Sequence, residues 1–389
     1  MRRLSAVLAV LLATAMATTG AGRAQSLDDL NIQIHGYATQ GFLYSTRNNL
    51  FTTSSSDGSP AWTDVVANIS AQPTPKLRVS FQGRYFLLGN YGNYISLDYA
   101  SADYKFDDRL GIRFGKTKVP SGLYNEIQDI DPSYLWSLLP QSVYPIASRN
   151  GQLAVYGGVA YGKVALPSKV GKLEYRAWGG EVSFPSDDGY FIAYREAGIN
   201  LTSGLPFVMN GAALHWVTPL PGLMVGASYN HLGAASSPLT IGGASGVFHV
   251  TPFAKPDYFA KYEKNKIMIA AEYLREGPFG AQIQLPGPTA PFFPFDIRGD
   301  YAMATYKVTG KLTAGVYDSQ CFNKTAPLGT ARYSKDWAIS GRYDFNQFLY
   351  AKAEQHFING TFLNYDKELN PNGLQPTTKL TILKVGVSF

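Results

Sequence analysis

The chain has 389 residues but a single cysteine, Cys321, and no long apolar run beyond its N-terminal segment. One cysteine cannot form an intrachain disulfide, so the fold is not stabilised by such a crosslink. A membrane-spanning helix needs about 20 consecutive apolar residues, and every later apolar run is broken by polar residues within a few positions. The sequence therefore predicts neither a disulfide-rich domain nor a helical membrane protein.

Residues 1–24 have the composition of a secretory signal peptide. Arg2 and Arg3 precede an apolar run from Leu4 to Ala17, and small residues occur just before Gln25. This order of basic, apolar and small residues is typical of a signal that is cleaved on export. The apolar run is too short to span a membrane, although an uncleaved anchor is the alternative. We therefore expect export and a mature chain of residues 25–389.

Net charge is also low. The chain has 34 Lys and Arg residues and 28 Asp and Glu residues, and Arg2, Arg3 and Arg23 belong to the predicted signal. Without these three, 31 bases remain against 28 acids, a net charge of +3. Proteins that bind nucleic acids usually carry a strongly basic face, so we expect no nucleic-acid partner.

Sequence motifs of enzymes are absent as well. The chain contains no Gly-x-Ser-x-Gly elbow and no His-Glu-x-x-His pair. Its five histidines are scattered: His35, His215, His231, His249 and His356. We therefore expect no enzyme, no cofactor and no catalytic metal. Because catalytic residues converge in space rather than in sequence, a barrel enzyme remains a weaker alternative.

Aromatic residues and alternating patterns are abundant instead, with 26 Tyr, 22 Phe and 5 Trp. In the last eleven residues, Leu383, Val385, Val387 and Phe389 alternate with smaller or polar residues. A period of two is typical of a strand with one apolar face. Such strands cross a membrane when they close into a barrel, because closure pairs every backbone group. The C-terminus therefore predicts the closing strand of a transmembrane barrel.

Alternating segments of this kind recur along the mature chain. Candidate strands lie at 33–45, 61–72, 77–88, 94–106, 110–118, 151–165, 172–184, 207–218, 223–232, 249–263, 266–276, 299–308, 311–319, 333–345, 348–358 and 379–389. Tight polar turns alternate with longer connections, as an up-and-down topology requires when both termini lie on the short-turn side. We predict an all-β fold, a transmembrane antiparallel up-and-down β-barrel of about sixteen strands, as one domain over residues 25–389. A soluble β-sandwich or propeller is the alternative, but no repeated blade motif is present.

Charged residues of the predicted strands are assigned to the barrel interior, because a base facing lipid at mid-membrane costs about 2–4 kcal/mol. The assigned bases are Arg78, Arg84, Lys105, Arg113, Lys172, Arg176, Lys261, Lys266, Lys307, Arg342, Lys352 and Lys384, and the acids are Asp103, Glu174, Glu263, Glu272, Asp336, Asp344 and Glu354. The principal candidates for the lumen wall are Arg78, Arg84, Arg113, Arg176, Arg342 and Lys384. Many of these charges could pair across neighbouring strands and only solvate the wall. The remaining positive excess predicts a water-filled lumen with a mild preference for anions.

Residues 119–150, after the fifth predicted strand, form the longest connection. This segment is too rich in large apolar residues to be disordered, so we expect it to fold into the barrel and narrow it. The predicted constriction residues are Lys116, Lys118, Glu126, Asp129, Asp131 and Arg149. Bases at the roots of the loop and acids within it would form opposed clusters with a field across the pore. The alternatives are a loop packed at a subunit contact or at the rim, and a weak calcium site at the two aspartates.

Several segments resemble outer-membrane porins related to the phosphate-selective group. They are 114–126 (Phe-Gly-Lys-Thr-Lys-Val-Pro-Ser-Gly-Leu-Tyr-Asn-Glu), 139–144, 271–273, 343–346 and 354–360. The resemblance implies a sixteen-stranded barrel, commonly a homotrimer, with the loop after the fifth strand inside the pore. It also implies that Phe389 is an assembly signal for the barrel assembly machinery, and it places Lys116 and Lys118 in the constriction. Acids are mixed through the wall, which favours a broader solute range than phosphate alone.

Together these patterns predict a porin of the bacterial outer membrane. It would allow passive diffusion of small hydrophilic solutes, with a mild preference for anions such as phosphate or organic acids, and its other partner would be membrane lipid. The alternative without a pore function is a barrel that serves as an adhesin or structural anchor. The Pro- and Phe-rich segment 277–294 would suit such a role, although it also fits a stiff loop on the rim.

Overall fold

A computed structural model of the chain describes residues 30–89, 91–167, 169–287 and 292–389. The predicted signal peptide, residues 1–24, lies outside the described residues. The described strands are β1 (Gln33–Ser45), β2 (Ser59–Thr74), β3 (Leu77–Leu88), β4 (Asn93–Lys105), β5 (Gly111–Lys118), β6 (Ala154–Ala165), β7 (Lys172–Phe184), β8 (Ile199–Leu201), β9 (Leu205–Val217), β10 (Leu223–Leu232), β11 (Ala235–Ile241), β12 (Ala244–Val250), β13 (Phe253–Lys264), β14 (Ile267–Gln284), β15 (Phe292–Lys307), β16 (Leu312–Asn323), β17 (Tyr333–Asp344), β18 (Leu349–Gly360) and β19 (Thr377–Ser388). Short α-helices lie at Arg149–Gln152 and Ile192–Glu196.

Sixteen of these strands form a closed antiparallel barrel, and β8, β11 and β12 are additional. The barrel closes where β1 pairs with β19, from Tyr37 opposite Ser388 to Ser45 opposite Leu380. At the end of this seam, Gly36 and Phe389 exchange two backbone hydrogen bonds of 3.0 Å. Closure leaves no free barrel edge, so the sheet satisfies its own backbone groups. The predicted up-and-down barrel of about sixteen strands is confirmed.

Alternation separates the two faces of the wall. On β19, Leu383, Val385 and Val387 face outward and are exposed, whereas Ile382 and Lys384 face the interior and are buried. The predicted last strand therefore has the predicted apolar outer face. Among the described residues, no helix is both long enough and apolar enough to cross a membrane.

Three strands lie in connections that the sequence analysis left irregular. β8 falls within the predicted connection 185–206, and β11 and β12 form a hairpin that begins in the predicted connection 233–248 and ends at Val250. β11 pairs with β8, and β12 pairs with β14, which continues to Gln284 beyond its predicted end. The prediction of plain loops was wrong here because these Ser- and Gly-containing segments gain strand structure from partners distant in the sequence. The sheet is therefore extended beyond the barrel on this side.

An apolar cluster supports this extension. Phe191 and Phe248 are fully buried, and Phe253 stacks on Phe279 with 4.6 Å between the ring centroids. Buried aromatic side chains contribute large apolar areas and specific ring contacts. The long-loop end of the barrel is thus packed rather than open between β6 and β14.

Candidate functional site

The chain between β5 and β6, residues 119–153, leaves the wall and enters the barrel; we call it the crossing loop. Its two ends are joined by a hydrogen bond from the Val119 amide to the Leu153 carbonyl (2.9 Å). Inside the barrel, Trp136 and Tyr144 are buried against Tyr317 and Tyr301 of the far wall. The predicted inward-folded loop is therefore confirmed, with its own apolar contacts to β14–β17.

Asp131 attaches the crossing loop to β18 and β19. Its Oδ1 lies 2.9 Å from Lys384 Nζ and its Oδ2 lies 2.9 Å from Lys352 Nζ. The Tyr350 hydroxyl donates a third bond to Oδ2 (2.8 Å). Burial alone would raise the pKa of the Asp131 carboxyl, but the two ammonium groups hold it well below its usual range. This ionised carboxylate is almost inaccessible, with 3% of the residue exposed.

Asp129 attaches the loop to the neighbouring part of the wall, because β1 pairs with β19 and the barrel continues through β2 and β3. Its carboxylate accepts a bond from Lys118 Nζ (2.7 Å) and one from Gln82 Nε2 (2.5 Å). Its backbone carbonyl accepts a bond from the Tyr37 hydroxyl (2.9 Å). Contacts on β1, β3 and β5 therefore hold the same short segment that Asp131 fixes on β18 and β19.

Glu126 makes the contacts nearest to the short-turn end. Its carboxylate lies 3.0 Å from Arg113 Nη1 on β5 and 3.7 Å from Arg176 Nε on β7. Arg113 also bonds Asp103 on β4 (2.8 Å). Both arginines are partly exposed, so these pairs are more accessible to water than the contacts of Asp131.

Two buried arginine pairs flank the loop on the β2–β4 side. Arg149, at the end of the crossing loop, contacts both carboxylate oxygens of Asp98 at 3.1 and 2.8 Å. Arg84 contacts both oxygens of Asp64 at 2.7 Å. Bidentate arginine pairs fix orientation as well as charge, so they make this side of the lumen rigid.

On the β10–β15 side the loop is held by a carboxylate of the wall. Glu272 accepts bonds from the Tyr144 hydroxyl (2.7 Å), the Tyr301 hydroxyl (2.6 Å) and the Leu123 amide (3.2 Å). Gly122 has φ +64°, and a Cβ at this position would lie 2.2 Å from Glu272 Oε1. The close approach of loop backbone to carboxylate therefore requires glycine.

A further wall carboxylate meets the middle of the loop. Glu354 accepts bonds from the Ser137 and Leu138 amides at 3.0 and 3.1 Å. His356 contacts Glu354 through Nε2 (2.9 Å) and Asp336 through Nδ1 (2.8 Å). Both ring nitrogens of this buried histidine are therefore engaged by carboxylates.

The six predicted constriction residues are not arranged as opposed clusters. The acids Glu126, Asp129 and Asp131 each contact a base of the wall directly, and Arg149 contacts a wall acid. The expectation of two separated clusters was wrong because the loop reaches across the lumen and its charges meet their partners. The arrangement attaches the loop to the continuous arc of wall from β18 through β1 to β7 instead of leaving a field between free groups.

Lys116 lies apart from Lys118. The sheet register places Lys116 opposite Ala100 and Tyr156, on the outward side shared with the exposed Phe114. Its ammonium donates to the Leu97 carbonyl (2.5 Å). The described structure therefore does not bring Lys116 to the loop acids.

The remaining wall candidates face the interior. Arg342 donates through Nη1 to the carbonyls of Pro132 (2.5 Å) and Tyr134 (3.3 Å), next to Asp131. Arg78 is exposed near the short-turn end and donates to Gln33 (3.0 Å). The other wall candidates also face the lumen: Arg84 pairs with Asp64, Arg113 and Arg176 with Glu126, and Lys384 with Asp131.

Several interior charges were not predicted from the sequence. Asp64, Asp98, Asp257, Lys255 and Glu276 all face inward on their strands. Alternation could have identified Asp64, because it lies on the same face of its strand as Trp62 and Val66. Asp98 was harder to assign, because a bulge beside it changes which residues of β4 face inward. Four of the five are acids, so the positive excess of the interior is smaller than predicted.

Two larger cavities lie on either side of the crossing loop. The one at the short-turn end is about 310 Å³ and is bounded by Pro132 and Tyr134 of the loop. Its charged lining residues are Lys261, Lys266, Lys307, Arg342, Glu263 and Asp344. Among the described residues, neither Lys266 nor Lys307 forms an ion pair, so this cavity has an excess of positive charge.

The second cavity, of about 380 Å³, lies at the long-loop end beside Asp98 and Arg149. Asp187 and Asp188 also line it. Burial raises the pKa of the Asp188 carboxyl to about 7, although its side chain accepts a bond from the Tyr190 amide (3.0 Å). This cavity therefore contains an acid that titrates near neutral pH.

The calcium alternative for Asp129 and Asp131 is not supported by their contacts. Both carboxylates bind lysine ammonium groups, which leaves no paired oxygen site for a divalent cation. Within the described ranges, no group of three or more His, Cys, Asp or Glu side chains is arranged to hold a metal.

Comparisons with known proteins support the fold. No family model matches the sequence, and no curated protein matches it significantly. OmpF of Salmonella typhi, solved with daunomycin, has a TM-score of 0.58 at 12% identity, over 94% of this chain and 99% of that chain. The outer-membrane channel DcaP of Acinetobacter baumannii has a TM-score of 0.55 at 10% identity, over 94% and 99%. The anion-selective porin from Comamonas acidovorans has a TM-score of 0.51 at 9% identity, over 92% and 99%. At these identities the likeness shows a shared fold: the chain has the barrel architecture of these outer-membrane proteins.

Proposed function

We propose that the protein is an outer-membrane porin for passive diffusion of small hydrophilic solutes, with a mild preference for anions. The observation that carries the proposal is the closed sixteen-stranded barrel with apolar residues outside, charged residues inside and a loop folded across the lumen. A barrel of this strand number is wide enough to hold water. The named channel and porin with similar folds are consistent with this function.

The outer surface supports a membrane location. Exposed outward aromatic residues lie towards both ends of the strands: Tyr104, Trp216, Tyr306, Tyr343 and Phe348 towards the short turns, and Tyr44, Tyr229, Tyr258, Tyr273 and Trp337 towards the long loops. Aromatic girdles of this kind mark the two interfaces around the apolar band of a membrane barrel. We infer the bacterial outer membrane, reached through cleavage of residues 1–24.

The anion preference rests on the cavity at the short-turn end. Lys266 and Lys307 are not neutralised there, and a positive lining raises the local concentration of anions. Acids elsewhere in the lumen limit this effect, which favours a mild preference over strict selectivity. Phosphate and organic acids are the proposed anionic solutes.

We also propose a homotrimer, supported by the outer face of β4 and β5. Ile95 is 84% exposed and Phe114 is 63% exposed, and Lys116 lies on the same outward side. Lys116 donates to the Leu97 carbonyl and lines the long-loop cavity with Arg149, and a subunit contact over this face would keep lipid from this charge. Chemical crosslinking of the protein in outer-membrane fragments should give a trimer, and a monomer at every crosslinker concentration would contradict this part of the proposal.

The proposal assigns no catalytic activity. His356, the most enclosed histidine, has both ring nitrogens bound by carboxylates and therefore lacks a nitrogen free to act as a base towards a nucleophile. An esterase or protease assay on the folded barrel provides the check. Turnover that purification does not remove would overturn the assignment.

Planar-bilayer recording tests the pore function directly. Purified, heat-modifiable protein should produce steady ohmic steps, and a salt gradient should give a reversal potential towards that of the anion. A folded barrel that never conducts would overturn the porin proposal. Conductance with a cation-directed reversal potential would retain the pore and overturn the anion preference.

A further inference from the structure

We propose that Lys352, Lys384 and Tyr350 form a binding site for the carboxylate of a permeating organic acid, and that Asp131 occupies this site as a tethered competitor. The inference rests on the proposed porin function and deepens it. It assigns a solute class to one site on the wall. It also assigns the crossing loop a second role, that of an internal ligand.

The wall donors are arranged for an anion. Lys352 and Lys384 stand directly opposite each other on β18 and β19, and both are almost completely buried. Like charges directly opposite on neighbouring strands are destabilising, and two buried ammonium groups need a counterion. No wall carboxylate forms an ion pair with either lysine in the described structure; their ion pairs are both with Asp131.

The site itself belongs to the wall. All three groups that contact the Asp131 carboxylate come from β18 and β19, more than 200 residues away in the sequence. Among the described residues, no donor from the loop contacts this carboxylate. If the loop segment moves away, the three donors remain on paired strands. They lose the Asp131 carboxylate and also the loop carbonyls of Asp131, Trp136 and Ser137, to which the two lysines donate.

The chemistry of the donors favours a carboxylate. One lysine contacts each oxygen, and the Tyr350 hydroxyl adds a third donor to Oδ2. Aromatic rings surround the ammonium groups: Trp62 lies 3.8 Å from Lys384 Nζ, and Tyr134 lies 4.8 Å from Lys352 Nζ. A planar carboxylate with a short apolar or aromatic body fits this combination of charge and ring faces.

A route to the site begins at the short-turn cavity. The cavity is bounded by Pro132, Ser133 and Tyr134, the residues that directly follow Asp131. Arg342 lines the same cavity, and its guanidinium lies 4.5 Å from the ring centroid of Tyr350. An anion that enters past Lys266 and Lys307 therefore meets Arg342 next to the site that Asp131 fills.

The expected behaviour is competition. A tethered group acts at a high effective concentration, in the millimolar range or above, so an added acid must displace Asp131 to bind. Removal of the tethered carboxylate should therefore increase the apparent affinity for an added carboxylate about tenfold or more. The same removal at another attachment of the loop should not do so.

The test compares Asp131→Asn with Asp129→Asn in the full-length barrel. Benzoate is titrated while current block in planar bilayers and tryptophan fluorescence are recorded; Trp62→Phe identifies the signal next to Lys384. Asp131→Asn should lower the half-saturating benzoate concentration about tenfold or more. Asp129→Asn removes an equally buried carboxylate of the same loop, but its half-saturating benzoate concentration should equal that of the wild type.

Two further variants keep the test decisive. Lys384→Met in the Asp131→Asn background should abolish saturable benzoate binding, and Tyr350→Phe should weaken it a few-fold. Equal half-saturation in Asp131→Asn and Asp129→Asn would overturn the inference, as would saturation by inorganic phosphate but not by benzoate. Absence of conductance in every folded variant would overturn the porin function, and the fluorescence titration would still decide the binding site. If Asp131→Asn does not fold, the wild-type background decides. Saturable binding that is weakened in Tyr350→Phe and lost in Lys384→Met supports the site, and unchanged binding in both variants overturns it.

Discussion

Gly122 offers a stringent test of how the crossing loop is attached. A Cβ at this position would lie 2.2 Å from Glu272 Oε1, 2.7 Å from the Tyr144 hydroxyl and 2.8 Å from Asp257 Oδ2. In a Gly122→Ala variant, Glu272 has to move, although it is 3% exposed and holds Tyr144 and the Leu123 amide. The substitution should therefore detach the loop from β14.

The magnitude follows from two contributions. Alanine at positive φ costs about 1 kcal/mol or slightly more in backbone strain. Leaving a buried donor or acceptor of the Glu272 group unsatisfied costs about 1–3 kcal/mol in addition. Gly198 provides the matched control, because its φ of +75° is similar but a Cβ there would meet no atom within 4 Å. Gly198→Ala should show only the strain contribution.

The assay is limited proteolysis of the folded barrel with chymotrypsin, with cleavage sites located by mass spectrometry. If loop opening is fast, the cleavage rate follows the population of the open loop. A difference of about 1–3 kcal/mol between the two variants corresponds to cleavage in residues 119–153 that is faster by about fivefold to 150-fold. Equal cleavage rates for Gly122→Ala and Gly198→Ala would refute the attachment of the crossing loop to Glu272.

Three further predictions concern charge, pH and assembly. Replacing Lys266 and Lys307 with Glu lowers the net charge of the cavity by four units. Each unit charge interacts with a permeating ion by about 0.4 kcal/mol at ~10 Å in water, so the anion-to-cation permeability ratio should fall about twofold to tenfold at low salt. Reversal potentials measure this, with Lys76→Glu on another short turn as the control, and an unchanged ratio would contradict the role of the cavity. Because the pKa of Asp188 is raised to about 7 in the folded state, its contribution to stability is present at low pH and is lost as the pH rises from about 4 to 7. Denaturant unfolding at several pH values should show this decline, and Asp188→Asn should remove it; a decline of the same size in the variant would exclude Asp188 as its source. Deletion of Phe389 should reduce the yield of heat-modifiable barrel several-fold, whereas Phe389→Tyr should not, and normal assembly of the truncated chain would contradict a signal function.

The barrel wall could be predicted from the sequence because it depends on the local alternation of apolar and polar residues along each strand. Leu383, Val385 and Val387 alternate with interior residues without interruption, and the structure places them outside as predicted. β8, β11 and β12 could not be predicted in the same way. Ser236, Ser237 and Gly246 give no apolar period, and these strands exist because β11 and β12 pair with β8 and β14.

The contacts of the crossing loop were beyond sequence reasoning for a different reason. Apolar content predicted that residues 119–150 would fold inward, and charge placement identified Asp131 and Lys384 as candidates. Nothing local indicates that Asp131 meets Lys384, because 253 positions separate them and their contact follows from barrel closure. Position at the root of the loop likewise assigned Lys116 to the same role as Lys118, whereas Lys116 donates to the Leu97 carbonyl and only Lys118 reaches the loop acid Asp129.

Because β1 and β19 pair at the seam, the order of the strands along the chain can be changed without changing which strands are neighbours in the barrel. Gly36 and Phe389 are hydrogen-bonded neighbours, so a short linker could join the two ends of the mature chain. New termini could then be placed in the exposed turn at Asp107–Arg109. Such a circular permutant would retain every strand pair while the terminal phenylalanine becomes internal. It would therefore distinguish what Phe389 contributes as a member of the wall from what it contributes as the end of the chain.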